Sequence, residues 1–384
     1  MSKKTLNDLR PVYVAGVGLH PYQAPGPTAY TQLGLTAVRA ALQDGGVRWN
    51  DVEAAFVGTA LLGVATGRPM LRHLGANDAS IVHVENASAS GSSAFRMACV
   101  EVAAGLADVA IAIGVDKPDV RPDGFSKCGV PNLLPGVVSP VTHFAVLAQQ
   151  YLEQHSVSLE DLGYVAVKNL GNAARNPFAQ RQQVVGIADV LDGKPLSGVM
   201  TKLQCCPVGE GAAAAIVVSE DAVRRLGLDG GRAVRVESSI SASEQPYGPS
   251  VFSDVELTRA TVAALLAQTG RRADELDVVE VHDAFAIEEL VYAEAIGLAE
   301  PGRAGQAVVR GEFSIGGRCA VSPSGGLLGM GHPVGPTGVG QIVEITRQLR
   351  GEAGDRQHPG AQLGLAHMLG LGSVCVAHLL SAPE

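Results

Sequence analysis

The sequence predicts an α/β protein built from layers, in which short buried strands alternate with helices. Short apolar segments such as ADVAIAIGV, residues 107–115, are separated by stretches with helical periodicity. A second series of the same kind begins near residue 211. Apolar residues make up 46% of the 384 residues, aromatics only 4%, and there are 47 glycines, so small side chains can pack in closely spaced layers.

The first part of the chain alternates regularly. The pattern predicts strands at 12–17, 54–57, 80–84 and 107–115, and helices at 30–44 and 92–107. Residues 117–200 differ, because Pro, Gly and Asn interrupt two helical stretches at 144–155 and 159–174. This segment reads as an insertion into the layered domain.

Regular structure returns in the second part. Strands are predicted at 211–218, 233–239, 276–281, 362–367 and 373–379. Helices are predicted at 253–266 and 285–296, and another ends at 349 after a glycine-rich stretch over 322–340. Both parts contain an apolar strand that leads into a turn rich in polar and small residues, which suggests a duplication.

Composition excludes several classes of function. The net charge is −9 and no basic run stands out, which argues against nucleic-acid binding. The first ten residues lack an apolar signal core, and no apolar stretch is long enough to span a membrane. We therefore expect a cytoplasmic protein with reduced thiols. None of its six cysteines has paired zinc-ligand spacing, so we expect no metal: Cys99, Cys128, Cys205, Cys206, Cys319 and Cys375.

Ser88 is the first candidate site residue. It lies in VENASASGSSA, residues 84–94, where a predicted strand turns into a helix. Backbone N–H groups at a helix start attract developing negative charge, so a hydroxyl here can act as a nucleophile. Serine also serves as an N-cap at such turns, which is its commoner role. We expect Gly91 to let the backbone approach a substrate.

His282 is the second candidate, in EVHDAF over residues 280–285. A histidine at a strand end can donate to an oxyanion or transfer a proton, although it can equally be a polar strand end. Asp283 can cap the helix that follows.

His332 is the third candidate, in GMGHPVGPTGVG over residues 329–340. Glycines and prolines on both sides build a specific loop, and a histidine there can activate a nucleophile such as Ser88. The loop lacks the spacing of a phosphate-binding motif. His367 in AHMLGLGSV and His143 in SPVTHFAVLAQQ are weaker candidates.

In this order, the motifs resemble those of thiolases, and specifically the sterol-carrier-protein type with its bacterial and archaeal relatives. The resemblance covers almost the whole chain and includes VYVAGVGLHPY, LQCCPVGEGAAAAIVVS, EVHDAF and SPSGGLLGMGHPVGPTG. It implies a five-layered αβαβα fold of two similar halves with an inserted loop domain. The implied first half consists of residues 1–116 and 201–235, the second half of residues 236–384, and the insertion of residues 117–200.

The resemblance also implies a chemistry. An acyl-CoA is the substrate, no cofactor is needed, and coenzyme A binds through the insertion. The turn residue is acylated, the histidine of GHP, here His332, activates it, and the histidine of HDxF, here His282, binds the thioester oxygen. The chain departs from the family at the acylated position, where Ser88 replaces cysteine, and at Met368, where relatives have cysteine or asparagine. A thiol, with a pKa near ~8.5, is far easier to ionise than a hydroxyl.

Three functions remain open from the sequence. The first is a thiolase that condenses acyl-CoA thioesters or cleaves a 3-oxoacyl-CoA. The second is a thiolase-like retro-aldolase on a β-hydroxyacyl-CoA side chain, which resembles enzymes working with a small partner that contains an OB fold and a zinc ribbon. The third is a non-catalytic acyl-CoA-binding subunit. Resemblance further implies a homodimer or a dimer of dimers.

Overall fold

The computed structural model describes residues 4–118, 139–243, 253–370 and 374–383. The helices in these ranges are α1 Tyr30–Gly45, α2 Gly67–Leu71, α3 Ser90–Ala103, α4 Pro140–His155, α5 Leu159–Ala173, α6 Ile187–Leu191, α7 Glu220–Leu226, α8 Ser253–Thr269, α9 Ala286–Ile296, α10 Ala304–Val309, α11 Gly326–Gly329 and α12 Thr337–Leu349. The strands are β1 Val12–Gln23, β2 Ala54–Gly58, β3 Ser80–Val84, β4 Val109–Asp116, β5 Pro195–Ser197, β6 Met200–Thr201, β7 Glu210–Ser219, β8 Val234–Ser243, β9 Val278–Glu280, β10 Ala320–Val321, β11 Leu363–Gly370 and β12 Val374–Ser381.

The main sheet has the order β10-β9-β11-β12-β8-β1-β7-β4-β2-β3 within the described residues. It consists of two halves with one topology. In the first, β1 pairs antiparallel with β7, β7 antiparallel with β4, and β4 and β3 both parallel with β2. In the second, β8, β12, β11, β9 and β10 repeat these pairings in the same order. The halves meet where β1 pairs with β8 at Tyr13 and Val14. The duplication suggested by the sequence is thus visible as a repeated strand order.

Three clusters of buried side chains separate five layers. One cluster lies between α1 and the outer face of the first half, and another lies between the second half and its outer helices α4, α5, α8 and α9. The third surrounds α3 and α12 between the two halves. Alternation along β4 shows the arrangement, because Ile111 and Ile113 join the outer cluster while Ala110 and Ala112 face α3. The predicted five-layered αβαβα fold is confirmed.

Small residues allow the central layer to pack tightly. The predicted strand ADVAIAIGV and the Ala-rich β7 present mainly alanines to the central helices. Between β4 and β7 the described chain forms α4, α5, α6, β5 and β6, where the sequence predicts an insertion. The exact boundaries of the halves and of the insertion stay predictions, and part of the insertion, residues 119–138, lies outside the described residues.

Several predicted elements differ from the observed ones at their ends. The first strand continues through His20 and Pro21 to Gln23, because Tyr22 N bonds Phe178 O beyond the break expected at HPYQ. The helix predicted from residue 144 begins at Pro140, which suits the first helical turn because proline lacks an N–H. The structure contains no helix among the described residues that is long and apolar enough to cross a membrane.

Candidate active site

Ser88 and His332 come together from the two halves of the chain. Ser88 Oγ lies 3.1 Å from His332 Nε2. Ser88 is buried and follows β3, and His332 lies in the loop between α11 and α12. The helix after the turn begins at Ser90, and its N-cap is Ala89 without a side-chain cap bond. The N-cap interpretation of Ser88 is therefore not what the structure shows, because its hydroxyl bonds a histidine and not a backbone N–H.

The backbone on both sides of this pair is strained. Ala87, directly before the serine, has a φ of 48°, and Val334, two residues after the histidine, has a φ of 56°. Non-glycine residues with such angles cost about 1–3 kcal/mol each and persist only where the surroundings hold them. For a β-branched valine the conformation is a clear outlier. Strain at both members of one hydrogen bond is typical of a functional site.

Neighbouring elements hold the His332 loop in place. Gly335 N donates to Asp116 Oδ2 at 2.7 Å, and Thr59 Oγ1 donates to Asp116 Oδ1 at 2.6 Å. Burial raises the pKa of Asp116 to about 6, although these hydrogen bonds oppose the rise. On the other side, a Cβ added to Gly91 would lie 2.4 Å from Gly335 O. The backbone at Gly91 therefore lies close to the His332 loop, and the approach to a substrate expected at Gly91 stays a prediction.

His332 is set up to accept a proton. Its Nδ1 lies 2.9 Å from Thr337 Oγ1, which fixes the ring while Nε2 faces Ser88. Burial, with a smaller contribution from nearby His282, holds the pKa of His332 well below its ordinary range. The imidazole is therefore neutral near neutral pH and has a lone pair available.

His282 faces the same point. Its ring lies edge-on to that of His332, with centroids 5.4 Å apart. His282 Nδ1 lies 2.8 Å from Glu288 Oε1, and its buried Nε2 has no hydrogen-bond partner within the described part of the chain. Buried polar atoms are usually paired. An unpartnered nitrogen on a ring that lies edge-on to His332 can bind an oxygen or a proton of a substrate.

Glu288 lies outside the EVHDAF motif and was not predicted from the sequence, yet its carboxylate holds Nδ1 of His282. It also accepts from Phe285 N at 2.9 Å and from Tyr292 Oη at 3.2 Å. The first of these bonds caps α9, so the cap expected from Asp283 is supplied by Glu288 instead. Asp283 accepts from Leu327 N at 2.7 Å and joins the segment after β9 to α11, which precedes the His332 loop. A signal was present, since glutamates in the fully buried α9 indicate paired carboxylates.

His367 is not brought to this pair. Its Nε2 lies 2.9 Å from Thr258 Oγ1 in α8, and its ring lies 5.0 Å from that of Tyr292. Burial lowers the pKa of His367 to about 3, with His282 adding to the effect. The next residue on β11, Met368, points the opposite way and packs against Ala89 beside the serine turn. In the structure it is therefore Met368, not His367, that faces the nucleophile turn.

His143 lies in the first turn of α4, partly buried, with its ring 5.0 Å from that of Phe144. Phe144 stacks on Phe285 of the EVHDAF segment, with ring centroids 4.7 Å apart. His143 thus borders the site through an aromatic pair, and the residues that precede α4 lie outside the described ranges.

The described cysteines form no disulfide and belong to no metal-binding cluster. The five described cysteines are free, and Cys128 lies outside the described residues. Cys206 N donates to Ala284 O of the EVHDAF segment at 2.7 Å, and burial raises the pKa of the Cys206 thiol to about 12. Within the described ranges, His, Cys, Asp and Glu form no group of three or more that could hold a metal ion.

Comparisons with known proteins agree over the whole chain. Residues 26–194 match the family described as "Thiolase, N-terminal domain", and residues 249–381 match "Thiolase C-terminal domain-like". "Sterol carrier protein 2" of Bos taurus is 33% identical over 390 residues, which cover 96% of this chain and 72% of that protein. "Benzoylsuccinyl-CoA thiolase subunit BbsB" of Thauera aromatica is 33% identical over 371 residues, covering 94% and 95%.

Solved structures share the fold. A structure named "Ltp2-ChsH2(DUF35) aldolase" superposes with a TM-score of 0.85, covering 98% of this chain and 99% of that chain at 23% sequence identity. At this identity the similarity concerns the fold.

Proposed function

Since this chain belongs to the thiolase family, we propose that it transfers acyl groups of acyl-CoA thioesters, in the condensation or thiolytic cleavage of a 3-oxoacyl-CoA. Ser88 takes the place of the acylated cysteine. The observation that carries this proposal is the 3.1 Å contact between Ser88 Oγ and His332 Nε2. A nucleophile with a base directly on it is the arrangement that makes a serine reactive.

The first step follows from the geometry. His332 Nε2 takes the proton of Ser88 as Oγ forms a bond to the thioester carbonyl carbon. The carbonyl oxygen becomes an oxyanion, then the C–S bond breaks and coenzyme A leaves as a thiol with the proton from His332. The result is an acyl ester on Ser88, which a second nucleophile then cleaves. A buried neutral imidazole suits the role of base.

His282 is proposed to bind the carbonyl oxygen. Glu288 holds its Nδ1, so an imidazolium at His282 donates from Nε2 to an oxyanion, and a neutral ring accepts a proton at the same atom. Either function needs an unpartnered Nε2 that is fixed before the substrate arrives. Preorganised donors of this kind are worth about 2.7–4 kcal/mol in a transition state.

Coenzyme A is proposed as a substrate and no cofactor is required. We assign its nucleotide end to the insertion, residues 117–200, as the family resemblance implies. The part of that segment at 119–138 lies outside the described residues, so the proposal rests on the family membership.

A homodimer, with a dimer of dimers as the larger alternative, is proposed from the free edge of the sheet. Among the described residues β3 pairs with β2 alone and is only half-buried, and a strand edge of this kind is a template for pairing with another chain. Met97 and Val100 of α3 are 39% and 40% exposed. Apolar side chains near an open edge support a second copy as the partner. A cytoplasmic location remains part of the proposal.

The second candidate function is retro-aldol cleavage of a β-hydroxyacyl-CoA side chain. The specific observation in its favour is that Ser88 is not a cysteine while His282 and His332 remain paired edge-on. Such a pair can deprotonate a hydroxyl and protonate a departing carbanion without an acyl-enzyme. The similar structure named "Ltp2-ChsH2(DUF35) aldolase" supports this candidate, and for it we propose a small partner with an OB fold and a zinc ribbon, as the family resemblance implies.

Intact-protein mass spectrometry after incubation with short and medium acyl-CoAs tests the proposal. We expect Ser88→Cys to gain the mass of one acyl group, because a thiol at the same turn is more easily ionised. An adduct on the native chain that peptide mass spectrometry locates on Ser88 would show that Ser88 itself is the nucleophile. If neither protein forms an adduct but the native chain cleaves a β-hydroxyacyl-CoA, the retro-aldolase is correct. If neither reaction occurs while acyl-CoA binds, the chain is a non-catalytic subunit.

A further inference from the structure

A small cavity lies directly behind the His332 loop. Its walls include residues of β1, β9 and α12 together with the segment before His332, and the polar side chains among them include Asn176, Glu280, Ser324, Thr337, Gln341 and Glu344. About 20 Å³ of its volume is open to the centre of a water molecule. One water needs about 10–15 Å³ measured in this way and two to four polar partners.

Gln341 gives the cavity a fixed acceptor. Its Nε2 donates to Val281 O and to His367 O, each at 3.1 Å. Because both partners are carbonyls, the amide cannot be reversed without placing oxygen against oxygen. Gln341 Oε1 is buried and has no hydrogen-bond partner among the described residues. An acceptor left unpaired in this way costs about 1–3 kcal/mol.

Thr337 gives the cavity a donor. It precedes Gln341 by one turn of α12, so the two side chains lie on one face of the helix. Thr337 Oγ1 lies 2.9 Å from His332 Nδ1. Where His332 donates to it, the hydroxyl hydrogen of Thr337 is free to point into the cavity.

We propose that the cavity binds a water molecule that accepts from the Thr337 hydroxyl and donates to Gln341 Oε1, and that this link fixes the tautomer of His332. Its second hydrogen is directed to the Glu280 carboxyl, which lines the same cavity. Because the water donates one hydrogen to Gln341 Oε1 and the other to Glu280, it can only accept from the Thr337 hydroxyl. Burial raises the pKa of Glu280 to about 8, and its carbonyl oxygen can accept in either protonation state. His332 carries its hydrogen on Nδ1, and Nε2 is bare and accepts from Ser88. Gln341 is thus a positioning residue for His332, on which it acts through the water and Thr337 and not through a hydrogen bond of its own.

The opposite direction would remove the base. If Thr337 donated to His332 Nδ1, Nε2 would carry the hydrogen and would face Ser88 as a donor. The link therefore decides whether the pair can work as nucleophile and base. It deepens the function proposed above and depends on it for its meaning, but the tautomer is measurable without any substrate.

Imidazole nitrogen NMR of ¹⁵N-histidine-labelled protein tests the inference, with the His332 signals assigned by their loss in His332→Asn. We expect the native protein at neutral pH to show hydrogen on Nδ1. Gln341→Met should lower the ratio of the two tautomers by about ten-fold, the effect of one lost buried hydrogen bond. Gln348→Met is the matched control, a buried glutamine of the same helix outside the cavity lining, and should leave the ratio unchanged.

Thr337 provides a second pair of variants in case Gln341→Met does not fold. Thr337→Val should lose the preference for Nδ1, and Thr337→Ser should retain it. A native protein with hydrogen on Nε2, or an unchanged ratio in folded Gln341→Met, would overturn the inference.

A crystal structure that resolves ordered water gives an independent answer. We expect one water within hydrogen-bond distance of Thr337 Oγ1 and Gln341 Oε1, and a site without it would refute the link. The two proposals fail separately. If Ser88→Cys forms no acyl adduct but His332 has its hydrogen on Nδ1, only the proposed function is refuted. If an adduct forms but His332 has its hydrogen on Nε2, only the water link is refuted.

Discussion

Gly114 in β4 is the position where one added methyl group should displace His332. A Cβ there would lie 2.3 Å from Pro336 Cα and 2.9 Å from Gly335 O. Carbon atoms in contact are normally about 3.5–4.0 Å apart. In Gly114→Ala the backbone at 335–336 must therefore retreat by roughly 1 Å or more.

This movement should reach the catalytic pair. Pro336 is followed directly by Thr337, whose hydroxyl bonds His332 Nδ1, so the imidazole moves with the loop. The 3.1 Å contact to Ser88 would then exceed hydrogen-bond distance. A displacement of 1 Å costs about 10²-fold in rate, and overpacking lowers the free energy of unfolding by about 1–3 kcal/mol.

Alkylation by iodoacetamide provides the assay, because it reports thiolate formation and needs no acyl-CoA. In the Ser88→Cys background, Gly114→Ala should slow alkylation at position 88 by about 10²-fold, measured by peptide mass spectrometry to separate it from the other cysteines. Guanidinium chloride unfolding measures stability in parallel.

Gly171→Ala is the matched control. Gly171 lies in α5, and a Cβ there meets no atom within 4 Å. The control should alkylate at the unchanged rate and gain about 0.5–1 kcal/mol in stability. A folded Gly114→Ala double variant with the rate of Ser88→Cys alone would refute the argument that the loop position sets the reactivity.

Three further predictions concern histidines. In the Ser88→Cys background, His332→Asn should slow acylation by an acyl-CoA by ~10²-fold or more, followed by rapid-quench mass spectrometry; an unchanged rate would remove His332 as the base. His282→Ala should reduce turnover by ~10²–10³-fold with nearly native melting and CoA affinity, whereas a collapse of the fold would make His282 structural. Burial lowers the pKa of His378 to about 3, so its contribution to stability is complete above its ordinary pKa of about 6.5 and is lost as pH falls toward 3. In this window the free energy of unfolding of the native protein should fall by up to about 1.4 kcal/mol per pH unit more than that of His378→Gln. Denaturant titrations that give parallel pH dependences for the two proteins would contradict this.

Periodicity and composition predicted most of the fold because the buried strands and amphipathic helices carry strong local signals. In ADVAIAIGV every residue from Val109 to Val115 is apolar or glycine, and β4 buries all of them. Short elements had no such signal: β10 is only Ala320–Val321 and lies at the start of a glycine-rich stretch. Its place in the sheet comes from pairing with β9, which is distant in sequence.

The candidate site was predictable where a residue lies in its own motif, as Ser88, His282 and His332 do. Their supporting residues were not, because their roles arise from contacts between distant segments. Asp116 reaches the His332 loop across 219 positions of sequence. The position of His367 was not predictable for a similar reason: on a strand, neighbouring side chains point to opposite faces, and it is Met368 that faces the serine turn.

A crystal structure of the native protein soaked with an acyl-CoA tests the central claim most directly. We expect the thioester carbonyl carbon to lie opposite Ser88 Oγ, or to be bonded to it, with the carbonyl oxygen within hydrogen-bond distance of His282 Nε2. His332 should remain on the Ser88 hydroxyl or its ester. An acyl group bound with its thioester away from Ser88 and both histidines would contradict the account.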